Sequence, residues 1–224
     1  MKMKKVLLPI VASALFAGSA FSKVSAGELK YFGSINVQHS NPTTQYRSDE
    51  GNYNGAETSR GFEKNFGLGL AGGVQYNIND AFYVNAEVFA NYVNNASKTH
   101  DIDTDSVAVK TTTSVGGSKQ NFTYGVLSRF GYNVNDKTSA YIGVGASYGK
   151  HNVYYSGSAG DSISNNKNLL SGIAALGIAT NVTASTQLYT EYQIAKANSY
   201  TVMGDTKVTF TNRSFVIGLR KFFN

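Results

Sequence analysis

The chain has 224 residues, of which 42% are hydrophobic and 15% charged, with 23 glycines, no cysteine and no tryptophan. That length suits one domain, the missing cysteines exclude a disulfide framework, and the glycine and tyrosine load points away from a helical protein. The formal charge of +6 is concentrated at the N-terminus, so no basic patch remains for nucleic acid.

Residues 1–26 read as a cleaved signal peptide, and residues 27–224 as the mature domain. Lys2, Lys4 and Lys5 form a positive start, Val6 to Phe21 an apolar core, and Val24-Ser25-Ala26 a small-residue cleavage signal. A cut after Ser22 is the second choice. The apolar core is short for a membrane anchor, which needs ~18 apolar residues. Cleavage removes four of the 20 basic residues and none of the 14 acidic ones, leaving a balance of +2. After that segment no apolar run approaches the length of a membrane helix, so any span would have to be a strand.

Eight segments alternate with a period of two. The first, Leu29 to Gln38, sets Leu29, Tyr31, Gly33, Ile35 and Val37 against Lys30, Phe32, Ser34, Asn36 and Gln38. The second runs from Phe66 to Asn77, the third from Phe82 to Val93 and the fourth from Phe122 to Asn133. The fifth, around Ser139 to Tyr148, sets Ile142, Val144 and Tyr148 against Gly143, Gly145 and Ser147. The sixth, Leu169 to Asn181, has the weakest pattern, because Ile173 falls on an otherwise small and polar face. The seventh opposes Leu188, Tyr192 and Ile194 to Gln187, Tyr189, Glu191 and Gln193. The last, Arg213 to Asn224, would be an open edge unless it pairs with the first, so the pattern predicts closure. Each segment has about ten residues, the length a tilted strand needs to cross a bilayer.

The connections alternate in length. Asn77-Ile78-Asn79-Asp80, Asn133-Val134-Asn135-Asp136 and Asn181-Val182-Thr183-Ala184 are tight turns. Between them lie long polar connections at roughly 39–65, 94–121, 149–168 and 197–212. The expected fold is therefore all-β: an eight-stranded antiparallel up-and-down transmembrane barrel, with short periplasmic turns and four long extracellular loops.

Alternation alone leaves open which face points out. A soluble barrel of lipocalin type would be apolar inside and charged outside. Here the polar face is mostly Gly, Ala, Ser, Thr, Asn and Gln, too sparsely charged for a soluble exterior. Aromatics such as Tyr31, Phe66, Tyr76, Phe82, Tyr92, Phe122, Tyr132, Tyr148 and Phe223 gather at the ends of the apolar face, as interfacial girdles require. The apolar face is therefore expected to look at lipid. Lys30, Glu87, Arg129, Glu191 and Arg220 then fall inside, in the periplasmic half, and predict a lumen ionic network with Glu87 and Arg129 as a pair on adjacent strands. Such a network serves either as a gate or as structural filling, and filling is the plainer reading.

The closing Gly218-Leu219-Arg220-Lys221-Phe222-Phe223 resembles the C-terminal Gly-Leu-Arg-Tyr-x-Phe signature of small outer-membrane barrels. With its eight strands the mature chain resembles the OmpA-transmembrane, OmpX and opacity-protein superfamily, especially surface antigens of host-associated Gram-negative bacteria. The resemblance implies an outer-membrane location, periplasmic chaperones and insertion by the barrel-assembly machinery, with Phe215, Ile217, Leu219 and Phe223 as the assembly signal. It also implies surface contact, adhesion, immune exposure or envelope integrity. Lys221 stands where an aromatic is usual, and Asn224 follows the terminal Phe. The peptidoglycan-binding domain of OmpA is not expected.

Catalysis finds little support. Lipid-modifying barrels of this size use His and Ser near the outer rim, but no His-x-Ser pair occurs, and a nucleophile needs a base within reach. His39, His100 and His151 fall in or beside long connections; His39 and His151 could meet at the rim. Asp101, Asp103 and Asp105 alternate as calcium ligands can, but Ser106 and Thr112 stand where a calcium loop has Gly and Glu, so a solvated acidic loop is the plainer reading. Asn95-Ala96-Ser97 and Asn121-Phe122-Thr123 match a glycosylation sequon that carries little weight in a bacterial protein. Gly67-Leu68-Gly69 and Gly143-Val144-Gly145 lie inside strands, not before helices, so they are not phosphate loops.

The sequence thus points to a non-enzymatic surface protein with no cofactor or metal, displaying loops outside the cell. Tyr46, Arg47, Tyr53, Arg60 and Phe62 are the candidate contacts for a host-cell surface partner. The chain is expected to be a monomer in outer-membrane lipid. A small-solute channel is the second reading.

Overall fold

The computed structural model describes residues 26–48, 54–58, 65–96, 100–102, 113–115, 118–156, 162–203 and 206–223, and among them every regular element is a strand. Eight long strands form the wall: β1 Leu29–Ser48, β2 Phe66–Asn77, β3 Phe82–Ala96, β4 Ser118–Asn133, β5 Thr138–Ser156, β6 Ser162–Asn181, β7 Thr186–Ala197 and β8 Thr206–Phe223. Each pairs antiparallel with its sequence neighbours, and β8 returns to β1, from Tyr31 opposite Phe223 to Ser48 opposite Thr206. The ring leaves no edge. The wall is therefore an eight-stranded, closed, up-and-down barrel.

Period-two alternation is converted directly into an outside and an inside. Leu68, Val144 and Ile217, which a soluble barrel would bury together, are 62%, 70% and 41% exposed. Inside, Tyr83, Leu127, Arg129 and Arg220 are buried. The exterior band of Leu, Ile, Val, Phe and Tyr is what hydrocarbon takes up, and a closed ladder pairs backbone groups across it, as a bilayer demands.

The three tight turns share one construction. In the first, the Asn79 side-chain oxygen accepts from the backbone N–H groups of Ala81 and Phe82 at 2.9 and 2.8 Å. Asn135 repeats this with Lys137 and Thr138 at the same distances, and Thr183 takes the role more loosely toward Ser185, at 3.3 Å. The leading Asn of the motif ties each turn to the one before it: Asn133 N–H donates to Ala81 and Asn181 N–H to Lys137, both at 2.7 Å. The repeated Asn-x-Asn-Asp is thus a side-chain-capped turn plus a clamp between hairpins.

The strands are longer than the ten residues expected. In the connections assigned to 39–65, 94–121, 149–168 and 197–212 the described residues are largely strand: β1 and β8 stay paired to Ser48 and Thr206, and β5 and β6 to Ser156 and Ser162. Short strands Asn54–Thr58 and Tyr200–Met203 add to β1 and β8, and His100–Ile102 pairs with Thr113–Val115. Alternating hydrophobicity marks only the part of a ladder that crosses an apolar layer. Beyond it, backbone pairing continues through polar residues with no such signature.

At the turn end, four inward aromatics each lie over a glycine on the next strand: Phe32 over Gly73, Tyr83 over Gly131, Tyr141 over Gly177 and Tyr189 over Gly218. Each ring occupies the volume a side chain at the glycine would need. We expect Gly131→Ala, which collides with the Tyr83 ring, to destabilise the barrel by about 1–3 kcal/mol in urea unfolding from lipid vesicles.

Candidate functional site

The inward residues stack in layers from the turn end upward. Above the aromatic floor lies a charged layer from four strands: Glu87 on β3, Arg129 on β4, Glu191 on β7 and Arg220 on β8. Two cations meet two carboxylates, so the layer is formally neutral. All four are at most 7% exposed.

Arg129 is its hub. Its Nη1 lies 2.7 Å from Glu87 Oε2, and its Nε lies 2.6 Å from Glu191 Oε2. Nη2 donates to the other Glu191 oxygen at 3.2 Å, so the forked guanidinium grips Glu191 with two bonds. Glu87 is a diagonal neighbour of Arg129, whose direct register partner is Asn85. Glu191 is reached across the lumen, with β5 and β6 intervening along the wall. Arg220 Nη2 lies 3.8 Å from Glu87, and its Nη1 donates to Gln187 at 3.1 Å. Its guanidinium stacks on Phe32 and Tyr189, 4.5 and 5.2 Å from the ring centroids. Gln193 donates to Glu191.

Of the five charged residues singled out from the sequence, four come together. Lys30 stands apart, 3.1 Å from Glu28. Gln187, Gln193, Phe32 and the floor tyrosines carry no sequence signal beyond inward parity, which marks them as lumen residues and nothing more.

Above the charges lies an apolar layer of Leu127, Ile173 and Ala175, packed by Phe89 and Ala195. Ile173, which weakens the sixth segment's pattern, is there for this layer. Next comes a cavity of about 50 Å³ with a mixed lining, Gln38, Asn91 and Gln193 beside Phe89, Val93 and Ile173. Ser40 and Ser214 hydroxyls meet beside it at 2.9 Å. His151 closes over it, stacked on Phe210 at 4.8 Å. His39 points outward instead, edge-on to Phe66 at 5.0 Å. The two histidines lie on opposite faces of the wall, because their strands place them in opposite parity, and so they do not meet at the rim.

Phe215, Ile217 and Phe223 face outward on β8, with Leu219 half-buried between them. Lys221, in the aromatic's usual place, donates to Ser185 at 2.7 Å. Tyr46 and Arg47 lie in the β1 extension, paired with Val208 and Lys207. Tyr53, Arg60, Phe62, Asp103 and Asp105 fall outside the described residues, as do residues 1–25 of the expected signal peptide. Among the described residues no group of three or more His, Cys, Asp or Glu could hold a metal.

An apolar belt around a closed, neutral, side-chain-filled lumen defines a β-barrel of the outer-membrane kind. The fold is shared with Neisserial surface protein A, 14% identical over 86% of this chain and 97% of that one, at a TM-score of 0.51. It is shared too with the outer membrane protease OmpT of Escherichia coli, 9% identical over 92% and 99%, at 0.53. Ail, the attachment invasion locus protein of Yersinia pestis, is 16% identical over 88% and 99%, at 0.41. At such identities the likeness is one of fold. No family model and no curated protein matches the sequence.

Removing Arg129 leaves two buried carboxylates facing each other with Arg220 as the remaining cation. Arg129→Ala should therefore cost about 3–5 kcal/mol of barrel stability. Double-mutant cycles on urea unfolding should give a larger coupling for Arg129 with Glu191 than with Glu87, both within about 0.5–3 kcal/mol.

His151 lies beyond the apolar belt, and burial pushes its pKa down to about 4. An unfolded histidine takes up its proton near 6.5. Between these values the unfolded chain binds more protons, so stability falls as pH drops from about 6.5 toward 4 and is flat above. Urea midpoints at pH 7.5 and 5 should differ less in His151→Gln than in the native barrel.

Proposed function

We propose that the protein is a surface barrel of the bacterial outer membrane, exported by a cleaved signal peptide, with a structural and interaction role and no enzymatic one. The observation that carries this reading is one-sided: ladders run past the apolar belt at one end only. At the other end the strands finish in four-residue turns at 78–81, 134–137 and 182–185. A wall extended at one end holds its connections away from the membrane, which is how a display scaffold is built. The extended end faces outward, and the contacts are Tyr46, Arg47, Tyr53, Arg60 and Phe62, presented to a host-cell surface protein. Adhesion, exposure as a surface antigen and envelope integrity are the roles this serves.

Periplasmic chaperones and the barrel-assembly machinery bring the chain into the membrane, where it works as a monomer with no nucleic-acid partner. The channel reading is weaker on a specific ground. Leu127, Ile173 and Ala175, with Phe89 and Ala195, pack between the charged layer and the upper cavity, beside Gln193, which lines the cavity and donates to Glu191. Ions crossing at this level would have to shed water against mainly apolar side chains, with Gln193 as a polar group beside them.

In planar bilayers the purified protein should be silent; stable, discrete conductance would favour the pore. Cells expressing the native chain should adhere to epithelial monolayers. Joint replacement of the five contact residues by alanine should lower that adhesion while leaving the barrel folded and at the surface; unchanged adhesion would remove the assignment.

A further inference from the structure

The upper cavity is rich in acceptors and short of fixed donors. Four amide side chains line it: Gln38, Asn91, Gln193 and Asn212. Two of them spend N–H donors on the protein. Gln193 donates to Glu191, and Asn212 donates to the Ser214 hydroxyl at 3.2 Å. The Asn212 and Asn91 Oδ1 atoms are buried, and among the described residues neither has a hydrogen-bond partner.

A third such oxygen stands beside that of Asn91. Asn36, Gly69 and Asn91 are successive register partners on β1, β2 and β3. The Oδ1 atoms of Asn36 and Asn91 both fall within 2.5 Å of the place a Cβ at Gly69 would take, so only a glycine leaves them room. The Asn36 oxygen is likewise buried without a partner. Carbonyl oxygens gathered away from water cost free energy unless a donor joins them. The hydroxyls of Thr123, Ser147 and Ser171 share the lining and can turn either way, whereas a carbonyl oxygen can only accept.

From this we infer that the upper cavity binds a short primary amine in its ammonium form, with the Asn36 and Asn91 oxygens as its seat and Asn212 as a further acceptor on the cavity wall. An alkylammonium has three N–H donors and no acceptor, the complement of this lining. Water brings acceptors of its own, which these oxygens leave unmatched. Bonds from a charged donor are about twice as strong as neutral ones and offset the loss of hydration. Size sets the chain length: at ~10–15 Å³ for each water-sized centre, the cavity of about 50 Å³ takes about four non-hydrogen atoms. Phe89 and Val93, in the same lining, receive the carbon chain. Thr123 and Asn212 face inward yet are only half-buried, so solvent reaches the site.

This inference goes beyond surface display and does not depend on it. The test uses the full mature chain folded in zwitterionic micelles with isotope-labelled methyl groups. Propylammonium chloride is titrated in, and NMR shifts are read at Ile173 and Ala195, which line the cavity. Those methyls should shift saturably with propylammonium. They should not do so with propanol, which lacks the charge, or with tetramethylammonium, which lacks the N–H. Asn91→Leu and Asn212→Leu should each weaken binding about tenfold, the loss of one bond to a charged group. Asn212→Asp, which keeps the shape and makes the oxygens anionic, should tighten it about tenfold. Folding is verified separately by the heat-dependent gel shift, and the aspartate variant decides the matter if a leucine variant does not fold. Absence of saturable shifts, equal binding of propanol or tetramethylammonium, or affinity unchanged in the folded variants would each overturn the site.

Discussion

Pairing of β8 with β1, eighteen registered positions from Tyr31–Phe223 to Ser48–Thr206, is what everything else in this molecule needs. Hydrocarbon offers no partner for an N–H or C=O, so a spanning sheet with an edge would leave a column of unmet backbone groups. Closing the ring removes that edge. It also fixes the lumen at eight strands, a width that side chains can just fill. The stacked interior is a consequence of that narrow bore.

The interior solves a packing problem with few large residues. Four aromatics spread over four glycines at the turn end, so that each hairpin contributes a ring from one strand and a gap on the next. Above them, neutrality is reached by pairing two arginines with two glutamates, since an unmatched charge at zero to seven per cent exposure would cost far more than the pair. The guanidinium planes are also used as surfaces, Arg220 lying on Phe32 and Tyr189. An apolar layer lies between this charged middle and the upper cavity, and Gln193 runs past it to Glu191.

Outside, asymmetry takes the place of filling. Turns of a few residues at one end and ladders extended far past the belt at the other give the molecule a direction. That direction follows from residues that lie beyond the hydrophobic pattern.

The sequence by itself determined the class of fold, the eight crossings, the three turns and which face meets lipid, because period-two alternation and Asn-rich turns are local properties of the chain. It also placed Glu87, Arg129, Glu191 and Arg220 inside, since parity is local too. Tertiary structure decided who meets whom. The grip of Arg129 on Glu191 crosses the lumen between non-adjacent strands, a relation that no spacing records, and Lys30 is left to Glu28. Strand length past the belt was likewise illegible, because a ladder in water is held by backbone hydrogen bonds and leaves no pattern in its side chains. The same holds for His39 and His151, both near the rim in sequence yet on opposite sides of the wall once register has set their parity.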